Sequence, residues 1–218
     1  MSYYWLDAGK TGLLFFDMLN AYFRKRGEPI AEAARPMVAN CTRLADAARE
    51  VGIPVFYARA DHRPDGLDSA RLHTDTDISL RPWQDPDKEY ARPFEKVPGG
   101  SWEAQVIDEL RPQPDDYTIL KHRWSAFHQT HLELSLRTRG IDTIILCGGS
   151  TEVGVASTAY SARDRDFQLI IVRDACATSH PDNHDALMYR VFPRMARVRT
   201  ADQVIEMIRQ GLGPLSSQ

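Results

Sequence analysis

The stretch from Cys147 to Val155 resembles a place where backbone amides hold an anion. An apolar run before it predicts a buried strand, and a Gly-Gly turn then leads into a helix that opens at Thr151. Small residues between a strand and a helix N-terminus bring several N–H groups together, which suits an oxyanion or a carboxylate. Gly154 lies where such a turn would display a nucleophile, and it has no side chain that could attack.

Two charged residues follow other apolar runs. Asp17 ends the run 13–16, and Lys121 ends the run 117–120, and both runs predict buried parallel strands. The carboxyl ends of parallel strands lie at one edge of a sheet, where ligands bind. For Asp17 alone, capping of the next turn is the simpler interpretation. Together with Lys121 and the glycine turn, it favours catalysis or ligand binding.

Composition excludes several classes of function. The 218 residues are 43% hydrophobic and 26% charged, which is ordinary for a globular protein. A formal net charge of -3, with Lys and Arg spread along the chain, gives no footprint for nucleic acid. No apolar run reaches the length of a membrane span, and the N-terminus lacks the features of a signal peptide. We therefore expect a cytoplasmic protein that binds neither nucleic acid nor membranes.

The three cysteines indicate no disulfide framework and no structural zinc site. Cys41, Cys147 and Cys176 are an odd number without CxxC spacing, which fits a reducing compartment. Cys147 ends a buried strand and is interpreted as a core residue. Cys176 could approach the site, but it is a poor candidate nucleophile because no group of amides is predicted beside it.

Strands alternate with helices along the chain, which predicts a three-layer α/β/α fold with a six-stranded parallel sheet. Right-handed crossovers and a central reversal predict the strand order 3-2-1-4-5-6 within one domain, residues 1–218. The first and fourth strands are then neighbours, so that Asp17 faces the glycine turn. How Lys121 reaches this crevice from the third strand is left open.

Some local features are also predicted. Residues 101–110 form a short helix, and the pairs Thr130–Glu133 and Thr200–Gln203 form capping boxes. Residues 60–100 are irregular and rich in Pro, Gly and charge. A connection of this length is either a functional cover or interface loop, or a surface excursion, and the sequence favours neither.

Three stretches together resemble the isochorismatase-like hydrolases, also called the cysteine hydrolase superfamily. They are residues 13–23 (LLFFDMLNAYF), 121–127 (KHRWSAF) and 148–155 (GGSTEVGV). The resemblance covers the chain from about Gly12 to Ile208. It implies a catalytic Asp, Lys and Cys set, of which Asp17 and Lys121 match the first two. The third falls at Gly154. The family also commonly has a cis peptide before the nucleophile, here at Gly149–Ser150.

Glycine at position 154 closes the thiolate route to an acyl-enzyme. The isochorismatase branch also carries glycine there, and its chemistry implies that the acid protonates an enol ether before water adds. Asp17 could be that acid, with Lys121 as its electrostatic partner; burial favours the neutral acid, whereas an ammonium favours the carboxylate. Thr151, Glu152 and Val153 replace that branch's Tyr-Ala-His type sequence, so we expect a different substrate pocket.

Eight residues are predicted to bind substrate: Tyr22, Phe23, Arg59, Trp124, Phe127, Gly149, Ser150 and Glu152. A role in a surface ion pair is an equally good interpretation of Arg59. Glu152 could either position water or interact favourably with the dipole of the helix that begins beside it. Asp61 and His62 are similar to the metal-binding region of nicotinamidases, but no further ligands follow at that spacing, so we expect no metal. No other cofactor is expected.

These observations support two hypotheses for the function. In the first, the chain hydrolyses a small, carboxylate-bearing molecule at an enol-ether or C–N bond, by water addition assisted by Asp17 and Lys121. In the second, it is a catalytically silent binding or scaffold member that lost the thiol. The resemblance also implies a homo-oligomer, with Trp102 and residues 60–100 as candidates for the interface.

Overall fold

The computed structural model describes residues 5–70, 72, 74–76, 97–178 and 180–211. Its six-stranded parallel sheet has the order β3-β2-β1-β4-β5-β6, which confirms the predicted fold and strand order. The strands are β1 (Thr11–Phe16), β2 (Val55–Ala60), β3 (Tyr117–Lys121), β4 (Thr143–Gly149), β5 (Gln168–Ala177) and β6 (Arg197–Arg199). The α-helices are α1 (Asn20–Phe23), α2 (Arg35–Glu50), α3 (Leu132–Thr138), α4 (Ala156–Arg163), α5 (Pro181–Ala186) and α6 (Ala201–Gln210).

The central strands of the sheet are buried on both faces, because nearly continuous apolar runs face both layers of helices. All six residues of β1 are buried. Leu13 and Phe15 belong to the core that α2 and α6 cover, whereas Leu14 and Phe16 belong to the core that α3 and α4 cover. Asp17 therefore stands at the tip of a strand that is fixed by packing on both sides.

The predicted helix at 101–110 is wrong, apart from a 3-10 turn at Asp108–Leu110. Apart from isolated turns, the backbone of this segment bonds to the segment after β1. Asn20 N–H donates to the Gln105 carbonyl at 2.9 Å, and Ile107 N–H donates to the Met18 carbonyl at 3.0 Å. These bonds hold the chain immediately after Asp17.

One of the two predicted capping boxes is confirmed. At α6, Thr200 Oγ1 accepts from the Gln203 N–H at 3.2 Å, and Gln203 Oε1 accepts from the Thr200 N–H at 3.0 Å. The box at Thr130 and Glu133 is wrong, because α3 begins only at Leu132. Glu133 instead pairs with Arg165 at 2.9 Å.

Part of the irregular segment 60–100 lies outside the described residues, namely 71, 73 and 77–96, so its predicted role as a cover or an interface stays a prediction. Trp102 is half-buried, and its place in an interface also stays a prediction. None of the helices in the described ranges is long and apolar enough to cross a membrane.

The capping box of α6 gives a test of the packing that supports β1. We expect Thr200→Ala to lower the free energy of unfolding by about 1 kcal/mol, because the Gln203 N–H loses its acceptor. Thr138→Ala is the matched control: Thr138 Oγ1 only donates to carbonyls of its own helix, and a change of a few tenths of a kcal/mol is expected. Equal losses in urea unfolding would contradict the capping role.

Candidate active site

Asp17 and Lys121 form a buried ion pair at the carboxyl edge of the sheet. Lys121 Nζ lies 2.7 Å from Asp17 Oδ2. The side chain of Lys121 is 6% exposed and that of Asp17 is 10% exposed. Buried charges are stable only when paired, so each of these groups depends on the other.

The backbone explains how a residue at the end of β1 meets one at the end of β3, two strands away. Asp17 takes the left-handed conformation with φ 47°, which Asp tolerates better than most residues. Its N–H donates to the Ala58 carbonyl at 2.9 Å, and its Oδ1 accepts from the Ala60 N–H at 3.0 Å. The carboxylate thus leans across the end of β2, and Ala60 pairs in register with Lys121.

Hydrogen bonding at Asp17 favours the charged form. An ammonium and a backbone N–H both donate to its oxygens, and both bonds are stronger to a carboxylate than to a neutral acid. Burial opposes this charge, but the paired ammonium of Lys121 compensates it. In this arrangement Asp17 is a proton acceptor, and its proton would have to come from a substrate or a water molecule.

The glycine turn follows β4 as the sequence indicates. β4 ends at Gly149, and the Gly149–Ser150 peptide bond is cis, as the resemblance implies. Thr151–Val155 then forms one wide turn of π-helix that continues directly into α4. Thr151 anchors the turn, because its Oγ1 donates to the Ala177 carbonyl at 3.2 Å and lies 2.9 Å from His184 Nδ1.

An aromatic ring occupies the space where a side chain at position 154 would project. A Cβ atom built on Gly154 would lie 1.9 Å from Phe16 Cε1 and 2.3 Å from Phe16 Cζ. Carbon atoms in contact are normally about 3.5–4.0 Å apart. Glycine is therefore required at 154 by the position of Phe16. A Gly154→Cys substitution alone would not place a thiol here unless the ring moved.

Sequence reasoning treated Phe16 as one apolar residue of a strand and missed its place in the site. Its ring also lies under the lysine, with Lys121 Nζ 4.4 Å from the ring centroid. The available signal was a bulky residue directly before Asp17 together with a glycine at 154, where the resemblance implies a nucleophile.

The structure distributes the predicted substrate-binding residues over several places. Tyr22 and Trp124 are exposed, at 53% and 43%. Phe23 and Phe127 are buried on opposite faces of the sheet, where both rings pack in the core. Binding of substrate by these four stays a prediction.

Arg59 points away from the ion pair. It pairs in register with Leu120, the neighbour of Lys121, and successive side chains of a strand project to opposite faces. Burial lowers the pKa of Arg59, although Asp61 opposes this effect. Its Nε atom is buried without a hydrogen-bond partner among the described residues. Its role in binding also stays a prediction.

Glu152 lies at the start of the π turn, beside the half-buried Gly149 and Ser150. Its Oε1 accepts from Thr178 Oγ1 at 2.6 Å. Its Oε2 is buried and has no hydrogen-bond partner in the described part of the chain. One oxygen of this carboxyl group is therefore available to a donor on a ligand or a water molecule.

The cysteines are poor nucleophiles in this fold. Cys41, Cys147 and Cys176 are all buried free thiols. Burial raises the pKa of Cys147 and of Cys176 well above the usual value of a thiol. Because only the thiolate attacks, neither thiol is poised to act as a nucleophile.

Metal binding finds no support in the described residues, in which no three His, Cys, Asp or Glu side chains lie together as a metal site requires. His62 Nδ1 is instead 3.4 Å from Asp68 Oδ2. The expected absence of a metal remains a prediction.

The chain is similar to known proteins over nearly its whole length. The family model described as the isochorismatase domain matches residues 11–203. The uncharacterized isochorismatase family protein YwoC of Bacillus subtilis is 34% identical over 210 residues, covering 94% of this chain and 97% of that protein.

Solved structures agree with this sequence match. An isochorismatase family protein from Burkholderia thailandensis superimposes with a TM-score of 0.75 at 29% identity, covering 94% of this chain and 98% of that one. N-carbamoylsarcosine amidase from Thermoplasma acidophilum gives a TM-score of 0.67 at 30% identity, covering 88% and 97%. The chain therefore belongs to the isochorismatase family of hydrolases.

Proposed function

We propose that this protein hydrolyses a C–N bond in a small amide or ureido compound that bears a carboxylate, with water as the direct nucleophile. The observation that carries this proposal is the buried pair of Asp17 and Lys121 beside a turn whose nucleophile position is filled by Phe16. The similarity to N-carbamoylsarcosine amidase supports the type of bond.

Asp17 accepts the proton in the proposed reaction. It takes a proton from water as the water oxygen bonds to the carbonyl carbon of the substrate. The same proton passes to the leaving nitrogen as the C–N bond breaks. An amide then gives a carboxylic acid and an amine or ammonia, whereas a ureido compound gives a carbamic acid in place of the carboxylic acid. Asp17 is then a carboxylate again, and Lys121 remains an ammonium throughout and holds it in place.

The turn after β4 would bind the charged part of the substrate. The first N–H groups of the helical run from Thr151 to Arg163 have no acceptor within the helix and favour an anion. The free Oε2 of Glu152 would accept a hydrogen bond from a substrate N–H or from the attacking water. An amide or ureido group supplies such a donor, whereas an enol ether does not.

Enol-ether hydrolysis is the second candidate, because Gly154 is shared with the isochorismatase branch that the sequence resembles. That reaction needs Asp17 as an acid that protonates carbon. The donors directed at Asp17 favour its carboxylate instead, so this candidate ranks second.

A substrate screen tests the proposal. Small amides, ureido acids and enol-ether acids are incubated with wild-type protein, and products are followed by mass spectrometry. We expect turnover of a ureido or amide compound, and Asp17→Asn is expected to lower kcat by about 10²–10⁴-fold because the proton acceptor is lost. Turnover of enol ethers alone would favour the second candidate. If no compound is turned over in a way that depends on Asp17, the proposal fails and the hypothesis of a catalytically silent binding member remains.

Two controls separate chemistry from folding. Lys121→Met removes the cation that compensates the buried Asp17 carboxylate, and it is expected to lower the free energy of unfolding by about 3–5 kcal/mol. The double variant Asp17→Asn/Lys121→Met removes both charges and is therefore measured beside it. Each single variant is expected to lose about as much activity as the double variant, because the two residues act as a unit. Asp202→Asn, in an exposed pair with Arg43, should retain full activity.

Thiol reagents provide a separate test of the nucleophile. We expect iodoacetamide to leave the folded protein unmodified and active at pH 7, because Cys147 and Cys176 are buried and their pKa values are raised. All three cysteines should react once the chain is unfolded in guanidinium chloride. Modification of Cys176 in the folded protein, in step with loss of activity, would contradict water as the direct nucleophile.

A further inference from the structure

Phe16 makes two contacts that belong to different parts of the site. The edge of its ring lies against Gly154, where a Cβ atom would be 1.9 Å from Cε1. Its face lies under the lysine, with Lys121 Nζ 4.4 Å from the ring centroid. The ring is 2% exposed, so a substrate does not reach it, and it acts only through its neighbours.

The contact with Lys121 has the geometry of a cation–π interaction. Such contacts form within about 6 Å of a ring centroid and strengthen when water is excluded, as it is here. Among the described residues, the ammonium contacts both the ring face and Asp17 Oδ2, which lies at 2.7 Å. Together these two contacts restrict the position of Lys121 Nζ more than the carboxylate alone would.

We propose that Phe16 is a positioning residue that holds the Lys121 ammonium beside Asp17 and, through the same ring, keeps position 154 free of any side chain. The two effects are coupled. A thiol at 154 requires the ring to move, and moving the ring removes the surface on which the ammonium rests. This chain therefore cannot combine a nucleophile at 154 with its present Asp17–Lys121 geometry. The effect of Phe16 on catalysis rests on the proposed function, whereas its contacts with Lys121 and Gly154 are independent of that function.

A stability cycle tests the contact with Gly154 without any substrate. We expect Gly154→Ala to lower the melting temperature by several degrees, although alanine is the better helix former. Phe16→Leu removes Cε1 and Cζ, the two ring atoms nearest to the added methyl group. In that background Gly154→Ala should cost much less than in the wild type, although part of the penalty remains because leucine keeps Cδ atoms and Phe16 Cδ1 lies 2.7 Å from the added Cβ atom.

Phe56→Leu is the matched control for this cycle, because Phe56 is a buried aromatic residue of the same core, whereas the three atoms nearest to a Cβ at 154 all belong to Phe16. In the Phe56→Leu background, Gly154→Ala should keep its full penalty. The same penalty in both backgrounds, or none in the wild type, would overturn the proposed exclusion at 154.

Fluorinated phenylalanine tests the contact with Lys121. Site-specific 4-fluoro- and 3,5-difluorophenylalanine at position 16 keep the shape of the ring but weaken the negative potential of its face. In protein with ¹³C,¹⁵N-labelled lysine, with the signal assigned by Lys121→Met, we expect the Lys121 Cε and Nζ resonances to shift progressively with fluorination. We expect kcat to fall in the same order, with KM and melting temperature nearly constant.

The same fluorinated residues at Phe56 serve as controls and should leave the Lys121 resonances unchanged. Lys121 resonances that do not respond to fluorination at position 16 would overturn the positioning role and leave Phe16 as a space-filling residue. If the resonances shift but no compound in the screen is hydrolysed, the proposed function fails while the positioning of Lys121 stands.

Discussion

The buried pair of Asp17 and Lys121 is the constraint on which the rest of the site depends. Two charges at most 10% exposed are costly to bury, and they persist only because each compensates the other. The left-handed backbone of Asp17 and its hydrogen bond from the Ala60 N–H direct the carboxylate across β2 toward β3. The local chain therefore adopts an uncommon conformation in order to complete this pair.

The surrounding fold holds that geometry from both sides. Helices cover β1 on each face, and the segment around Val106 is hydrogen-bonded to the chain just after Asp17. Phe16 connects the pair to the glycine turn, because its ring contacts both Lys121 and Gly154. Glycine at 154 is thus part of an arrangement that includes Phe16 and Lys121.

Much of this could be predicted from the sequence. The strand order follows from apolar runs, turn residues and the handedness of crossovers, and it makes β1, which ends before Asp17, the neighbour of β4, which leads into the glycine turn. The contact with Lys121 could not be derived, because it depends on the backbone of Asp17 and on the register of Ala60 with Lys121. The helix predicted at 101–110 failed for a related reason, since backbone groups of Glu103, Gln105 and Ile107 form hydrogen bonds with residues 18–21, which are distant in the sequence. Phe16 was missed because a buried strand explains an apolar residue without any reference to chemistry.

The central claim is that water attacks the substrate directly, and a single turnover in H₂¹⁸O tests it. The substrate is a hydrolysed amide, because a carboxylate product exchanges its oxygens with water only slowly, unlike the CO₂ that a ureido compound would release. With enzyme in excess, the product acid should carry one ¹⁸O atom, and the peptide that contains Asp17 should carry none. An unlabelled product together with ¹⁸O in the Asp17 carboxyl group would show that this side chain forms a covalent intermediate, and it would contradict the account.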